Sequence, residues 1–382
     1  MDKATQAERN MGFARRLIGR LGLVCFGLVI GFGVMEGAMR ILPIPNRFTM
    51  IRLFEEMWEP DPELLLKLKP DLSMNIYGHP EFNFMVRTNQ HGLRDDDFLD
   101  SMDIAAIGDS FTFGFGVEAD ESWPEQIEQV SGLDVANLGW AGWSSHVYPV
   151  TIRRFAIPLE TKIWIWGFFG NDLPESADAE SFLISGVDDY LSWNQVGRYR
   201  AQDLPFPWNL RTLQFVAALS DPELFLLPGS GDKLYEGADF TMRYGNYAWD
   251  TTNPNKPEVQ RGWELTEQAF LQAKALADKH DAYLVVLYIP PREHVYWPYL
   301  EPLAIDLDVE QLDTVEAQLA ELCDRYGISY LNLLPEFRAR ALDGEMLYFP
   351  QDGHWNARGH ALAGQLIYDY LLDHNLLAII DS

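Results

Sequence analysis

Short unbroken apolar runs alternate along much of this chain with longer stretches in which apolar residues recur every three or four positions. The first pattern predicts buried strands and the second amphipathic helices. Asp103–Ile107 ("DIAAI") is the first apolar run, followed by a helical stretch over Glu121–Val130 with Pro124 in its opening turn. A second strand is predicted at Asp134–Leu138, a helix at His146–Ile157, and a strongly β-prone third strand at Thr161–Phe169 ("TKIWIWGFF"). Val259–His280 predicts an amphipathic helix, and "AYLVVLYIP" after it a buried strand ended by Pro290 and Pro291. A helix at Val309–Tyr326, a strand at Ile328–Leu333 and a last helix from about Ala357 to Leu372 complete the series. Five apolar strands separated by helices imply an α/β fold, a parallel sheet flanked by helices on both faces. Ligands of such sheets bind beyond the carboxyl ends of the strands.

Three regions depart from this rhythm. Leu17–Met35 is a 19-residue stretch whose single charge, Arg20, lies near its start. As a helix it spans roughly 28 Å at ~1.5 Å per residue, about the thickness of a bilayer's hydrocarbon core. Arg15, Arg16 and Arg20 precede its apolar part, so residues 1–16 are expected to stay in the cytoplasm and 17–42 to form a transmembrane anchor. A cleaved signal peptide is the competing reading, but no small-x-small site follows the apolar run. Glu36 and Arg40, four apart, are placed to pair on one helix face. Residues 43–100 read as a connector containing some strand, since "FNFMVRTNQHGLRDDDF" alternates apolar and polar residues before turning at Asn89 and Gly92. Residues 175–255 read as an insertion rich in aromatics: Trp193, Tyr199, Trp208, Phe215, Phe225, Tyr235, Tyr244, Tyr247 and Trp249. Because the insertion follows Asn171 closely, it is positioned to roof whatever lies at the strand ends. Its aromatics would either stack on sugar rings or hold an acyl chain, or pack a satellite core of their own.

Composition narrows the classes of partner. The 382 residues carry a formal net charge of -28, and 47% are hydrophobic. Residues 1–20 hold five basic side chains against two acidic ones, which leaves 24 basic and 55 acidic for the rest. A body that acidic repels phosphate backbones, so nucleic acid is excluded as a partner. The two cysteines, Cys25 in the apolar segment and Cys323 on a predicted helix, are not placed to bridge. No P-loop, dinucleotide fingerprint or zinc-ligand spacing occurs, and neither cofactor nor metal is expected.

The strand-end loops carry the candidate chemistry. The first strand runs into Gly108-Asp109-Ser110, the second into "NLGWAGWSS" (Asn137–Ser145), the third into "GFFGNDL" (Gly167–Leu173); "FPQDGHWNARGHALAG" leads into the last helix. One end of the sheet thus collects a serine, glycine amides, an asparagine amide, an aspartate and a histidine. Acyl transfer needs that set. Ser110 is a weak nucleophile that requires a base, His354, whose tautomer requires an acceptor, Asp352. A tetrahedral oxyanion requires fixed donors, here the Gly142 backbone N–H and the Asn171 side chain. Asp109 and Asp172 read as turn formers, and His360 as a residue that packs or caps on the last helix. Each loop taken singly reads as an ordinary turn or helix cap; their order along the chain is what a turn does not explain.

In that order the chain resembles the SGNH hydrolases, or GDSL lipase/esterase superfamily. Gly108-Asp109-Ser110 resembles the nucleophile block, Asn137-x-Gly139-x-x-Gly142 the second, Gly170-Asn171-Asp172 a shortened Gly-x-Asn-Asp block, and Asp352-Gly353-His354 the last. The resemblance covers residues 101–174 and about 256–378. It implies a flavodoxin-like three-layer catalytic domain over 101–174 and 256–382, with Ser110 as nucleophile and the Ser110 N–H, Gly142 N–H and Asn171 side chain as oxyanion hole. The usual last block is Asp-x-x-His, and Gln351 stands three before His354. The Asp-x-His spacing is similar to that of the branch containing membrane-anchored extracytoplasmic SGNH proteins and polysaccharide O-acetyltransferases. The expectation is a membrane-anchored serine esterase or O-acyltransferase of a bacterial inner membrane, its catalytic domain on the periplasmic side. Its substrate would be an acyl ester or a carbohydrate, such as an acetylated envelope polysaccharide or a lipid, and a membrane protein is a conceivable partner. The alternative is an inactive SGNH-fold interaction subunit of a membrane complex.

Overall fold

The computed structural model describes residues 3–41, 56–77, 79, 81–96, 98, 101–186, 210–213, 233–237, 240–303 and 307–380. At its centre is a five-stranded parallel sheet. Its strands are β5 (Ile104–Gly108), β6 (Val135–Gly139), β7 (Ile163–Phe168), β10 (Tyr283–Tyr288) and β11 (Ser329–Asn332), in the order β11-β10-β7-β5-β6. Counted within the sheet this is 2-1-3-4-5, the flavodoxin-like arrangement, with the order reversing between β5 and β7. Ile107 pairs with Leu138 on one side and Trp166 on the other. Every residue of β5, β6 and β7 is buried, because helices cover both faces of the sheet.

The helices pack in two pairs. α2 (Trp123–Ser131) lies against α6 (Ala357–Asp373), and α3 (Asp172–Ser185) against α4 (Pro257–Lys279). α5 (Val309–Tyr326) connects β10 to β11 and packs on both. The helix predicted at His146–Ile157 forms as one α-turn, Tyr148–Thr151, followed by a π-helical segment, Ile152–Ala156. The helix predicted from Glu121 begins at Trp123; Ala119–Glu121 is a 3₁₀ turn closed by reciprocal capping between Glu118 and Glu121.

Within residues 43–100, two hairpins form: β1 (Trp58–Asp61) with β2 (Leu65–Leu68), and β3 (Ser73–Ile76) with β4 (Phe84–Arg87). Leu64, Leu66, Leu68, Ile76, Phe84 and Val86 are buried in the main core. Arg154 Nη1 donates to both carboxylate oxygens of Asp61 at 2.8 Å and fastens the first hairpin to the body. Within residues 175–255, β8 (Lys233–Glu236) and β9 (Thr241–Tyr244) pair as a third hairpin. Trp249 and Ala248 form a small satellite core with Leu312, while Tyr235 packs on Phe240. Trp193, Tyr199, Trp208, Phe215 and Phe225 lie outside the described residues.

The N-terminal helix α1 (Lys3–Ile41) contains a 25-residue stretch, Arg16–Arg40, of mean hydropathy 2.1 and none of it buried. It is long and apolar enough to cross a membrane or to act as a signal sequence. Glu36 pairs with Arg40 at 2.8 Å. The Glu36 carboxylate also accepts the backbone N–H groups of Arg211 (3.1 Å) and Thr212 (2.9 Å) and the Thr212 hydroxyl (3.0 Å). Cys25 and Cys323 are both free thiols.

Candidate active site

The site assembles at the carboxyl ends of β5 and β7, where the strand order reverses. After β5 the chain turns at once into a short helix, Ser110–Phe113, whose N-cap is Asp109: its Oδ1 accepts the Phe111 N–H at 2.9 Å. That turn brings Thr112 back over the strand end. A Cβ at position 108 would lie 2.2 Å from Thr112 Oγ1, so the strand has to end on glycine. Asp109 is therefore the turn former expected, and burial pushes its carboxyl up to about 6 against the pull of the Phe111 N–H. Beyond the short helix, Arg94 locks the loop. Its guanidinium donates to the carbonyls of Phe113 (3.1 Å), Gly114 (2.6 Å), Val117 (2.7 Å) and Met85 (2.8 Å), between the rings of Phe84 and Phe113.

Ser110, 9% exposed, sits at the head of this helix, and its Oγ is 2.8 Å from His354 Nε2. His354 Nδ1 lies 2.5 Å from Asp352 Oδ1, which also accepts the His354 backbone N–H at 2.9 Å. The carboxylate fixes the tautomer: Nδ1 carries the proton, and Nε2 is left to accept from the serine hydroxyl. Burial works against the charged form of both groups. At Asp352 the charge of His354 and its two N–H donors outweigh burial and hold the carboxyl well below the usual range. At His354 burial is the largest influence and lowers the pKa, but the charge and hydrogen bond of Asp352, with the charge of Asp109, together raise it above the ordinary histidine value.

The rings around His354 are aromatic. Phe111 and Phe115 lie 5.0 and 4.5 Å from the imidazole, centroid to centroid. Phe82 packs on both Phe115 (5.4 Å) and Phe349 (5.1 Å), and His79 stacks on Phe82 at 4.0 Å. His79 is close enough to feel the charges of Asp352 and His354, although burial dominates and lowers its pKa. Below this wall, Glu81 accepts the N–H groups of Gln351 (2.9 and 2.8 Å) and Asp352 (2.8 Å). Arg292 Nη1 donates to the carbonyls of Phe349 (3.1 Å) and Asp352 (2.8 Å) of the same loop. His79, Glu81 and Arg292 are absent from the sequence reading. Arg292 follows the end of β10 and the strand-end rule could have found it; His79 and Glu81 lie in a segment with no periodic signal.

The other expected residues fall as follows. Gly142 is exposed in the loop after β6 and has a positive φ of 101°. It borders a cavity of about 10 Å³ shared with Leu65, Trp140 and Trp143, and Trp143 Nε1 donates to the Leu66 carbonyl at 2.9 Å. Asn171 is the N-cap position of α3, and its Nδ2 donates to Glu175 Oε1 at 3.1 Å, which leaves one amide N–H for another acceptor. Asp172 differs from the turn former expected. It is fully buried and accepts the hydroxyls of Ser145 (3.1 Å) and Tyr148 (3.0 Å), so it ties the loop after β6 to the start of α3. His360 packs edge-on against Trp355, as expected of a residue on the last helix. Among the described residues no cluster of His, Cys, Asp and Glu is arranged to hold a metal ion.

Neither a family model nor a curated protein sequence matches the chain. Solved structures do match. An acetyl xylan esterase aligns over 71% of this chain and 100% of its own, at 9% identity and a TM-score of 0.38. A GDSL-like lipase from Bacteroides thetaiotaomicron aligns over 72% and 89%, at 11% identity and a TM-score of 0.35. A carbohydrate esterase family 2 enzyme with a carbohydrate-binding domain, from Corynascus thermopiles, aligns over 76% and 70%, at 12% identity and a TM-score of 0.37. Scores of that size decide nothing about activity; the parallel sheet in flavodoxin-like order and the hydrogen-bonded Ser110, His354 and Asp352 at its switch point are what this chain itself presents.

Proposed function

We propose that the chain is a serine-dependent acyl-ester enzyme of the SGNH type, with Ser110 as nucleophile, His354 as general base and Asp352 as the carboxylate that orients it. The observation that carries this reading is the unbroken hydrogen-bond chain from Ser110 Oγ through the imidazole to Asp352, at the strand ends where such sheets bind ligands. In the reaction His354 Nε2 takes the hydroxyl proton as Oγ attacks the ester carbonyl. The Asp352 carboxylate stabilises the imidazolium, and the same proton goes to the departing alkoxide. The Ser110 and Gly142 N–H groups and the second Asn171 amide N–H would receive the oxyanion. Water or an acceptor hydroxyl then attacks the acyl-enzyme, which makes the protein an esterase or an O-acyltransferase. The α1 helix would hold the body outside the bacterial inner membrane, where an acylated envelope polysaccharide or lipid is the substrate class in reach. The intact Ser110–His354 hydrogen bond counts against the inactive-subunit alternative.

The test is mass spectrometry of the protein after exposure to a fluorophosphonate. A single adduct on Ser110 is expected, absent in Ser110→Ala and slowed by about 10²–10⁴-fold in His354→Ala. An unlabelled wild-type protein, beside a control esterase that labels, would sink the reading.

A further inference from the structure

Asp352 stands on a loop, and a carboxylate that must hold an imidazole to within a fraction of an ångström gains nothing from a loop that drifts. The loop Phe349–Asp352 is gripped on two sides. From the segment between β3 and β4, Glu81 Oε2 takes the N–H groups of Gln351 and Asp352 at 2.8 Å each, with Oε1 at 2.9 Å from the first. From the end of β10, Arg292 reaches the carbonyls of Phe349, Pro350 (3.4 Å) and Asp352. Arg292 in turn pairs with Glu293 at 3.2 Å, and both side chains are nearly buried. Donors and acceptors of one short stretch of backbone are thus taken up by two opposite charges from elements remote in sequence. Burial raises the Glu81 carboxyl while the two amides lower it, so the group is desolvated to make this contact.

We infer that Glu81, opposed by Arg292, is a positioning residue of the catalytic machinery: it fixes the backbone of Asp352 so that the carboxylate stays on His354 Nδ1. The inference rests on the functional reading above for its kinetic consequence, but the geometry it concerns is independent of any substrate. Charge-assisted bonds to backbone amides are about twice as strong as neutral ones, and they replace the rigidity that a helix or strand would otherwise give the acid.

The experiment compares wild type, Glu81→Ala, Glu81→Asp and Glu81→Gln as the full chain in detergent, with two readouts. The first is the rate of Ser110 labelling by the fluorophosphonate at saturation. The second is the downfield proton NMR signal of the His354 Nδ1–H in its short bond to Asp352. Glu81→Ala should label about 10- to 100-fold more slowly and lose or broaden the signal, with the concentration for half-saturation little changed. Glu81→Asp keeps the charge but withdraws the carboxylate by one methylene, and it should behave alike at a melting temperature near wild type. Glu81→Gln can offer one oxygen to both amides and should recover to within a few-fold of wild type. Wild-type labelling and an intact signal in Glu81→Asp would overturn the inference, even if Glu81→Ala fails to fold. A wild-type protein that shows the signal but never labels would sink the functional reading and leave the positioning role to be judged on the signal alone.

Discussion

At the scale of single residues, the site turns on a balance between burial and partners. Burial alone would lower the His354 pKa, and Asp352, aided by Asp109, reverses that. A raised pKa means that the inactive imidazolium persists to a higher pH, so activity is lost as pH falls through a value above the ordinary histidine range. Asp352→Asn removes the opposing charge. Its expected profile has the acid limb moved to lower pH and a plateau about 10²–10⁴-fold below wild type, read from labelling rate against pH. An acid limb that stays in place would mean that another group sets it. Arg94 illustrates the other kind of cost. It is 1% exposed and bonded to four carbonyls rather than to a carboxylate, and burial lowers its pKa to about 10 against the pull of Glu118 and its acidic neighbours. A lysine cannot reproduce that fork. Arg94→Lys should cost on the order of 3 kcal/mol in denaturant unfolding, because buried carbonyls are left unpaired.

Between elements, the contacts that place Asn171 are as close as those that place Ser110. α4 meets the start of α3 at Gly262, where a Cβ would stand 2.0 Å from the Leu173 carbonyl oxygen. Gly262→Ala must push α4 away from the turn that carries Asn171 and Asp172. The expected outcome is a loss of about 1–3 kcal/mol in stability, with slower labelling of Ser110 measured well below the melting transition. Much of this architecture was legible in the sequence. Four of the sheet strands, β5, β6, β7 and β10, announce themselves as apolar runs because they are buried almost throughout, and the strand-end rule then puts Ser110, Gly142 and Asn171 on loops at one end of the sheet. What was not legible has a physical reason. Glu81 meets Asp352 across 271 residues of sequence, and it stands just ahead of the alternating run, in a stretch whose pattern gives no sign of a partner. Asp172 looked like a turn former because its turn is visible in "GFFGNDL", whereas its acceptors' partners, Ser145 and Tyr148, come from a different loop and helix. The π-helical segment at Ile152–Ala156 keeps enough of the helical period to pass for a plain helix.

For the whole molecule, the two hairpins between α1 and the sheet pack into the same core as the sheet. The second hairpin carries His79 and Glu81 between its strands, and Arg94 follows it, so a chain begun at residue 101 should fail to yield soluble, labelling-competent protein, whereas one begun at residue 43 should give both. Recovery of active protein from the shorter chain would contradict the roles argued for these residues. Glu36 has a consequence for processing. Its carboxylate, in the last turns of α1, receives the amides of Arg211 and Thr212, the only described stretch between residues 187 and 232. This helix thus holds a segment far along the chain. If the helix were removed, two backbone donors and a hydroxyl would need new partners, and the chain around residue 211 would become the first place a protease finds. Limited proteolysis should therefore cut a chain begun at residue 43, or full-length Glu36→Ala, near residue 211 sooner than the wild type. Whether or not α1 enters a bilayer, it would then be a built-in latch, and its loss by cleavage would leave a recognisable scar in the fold.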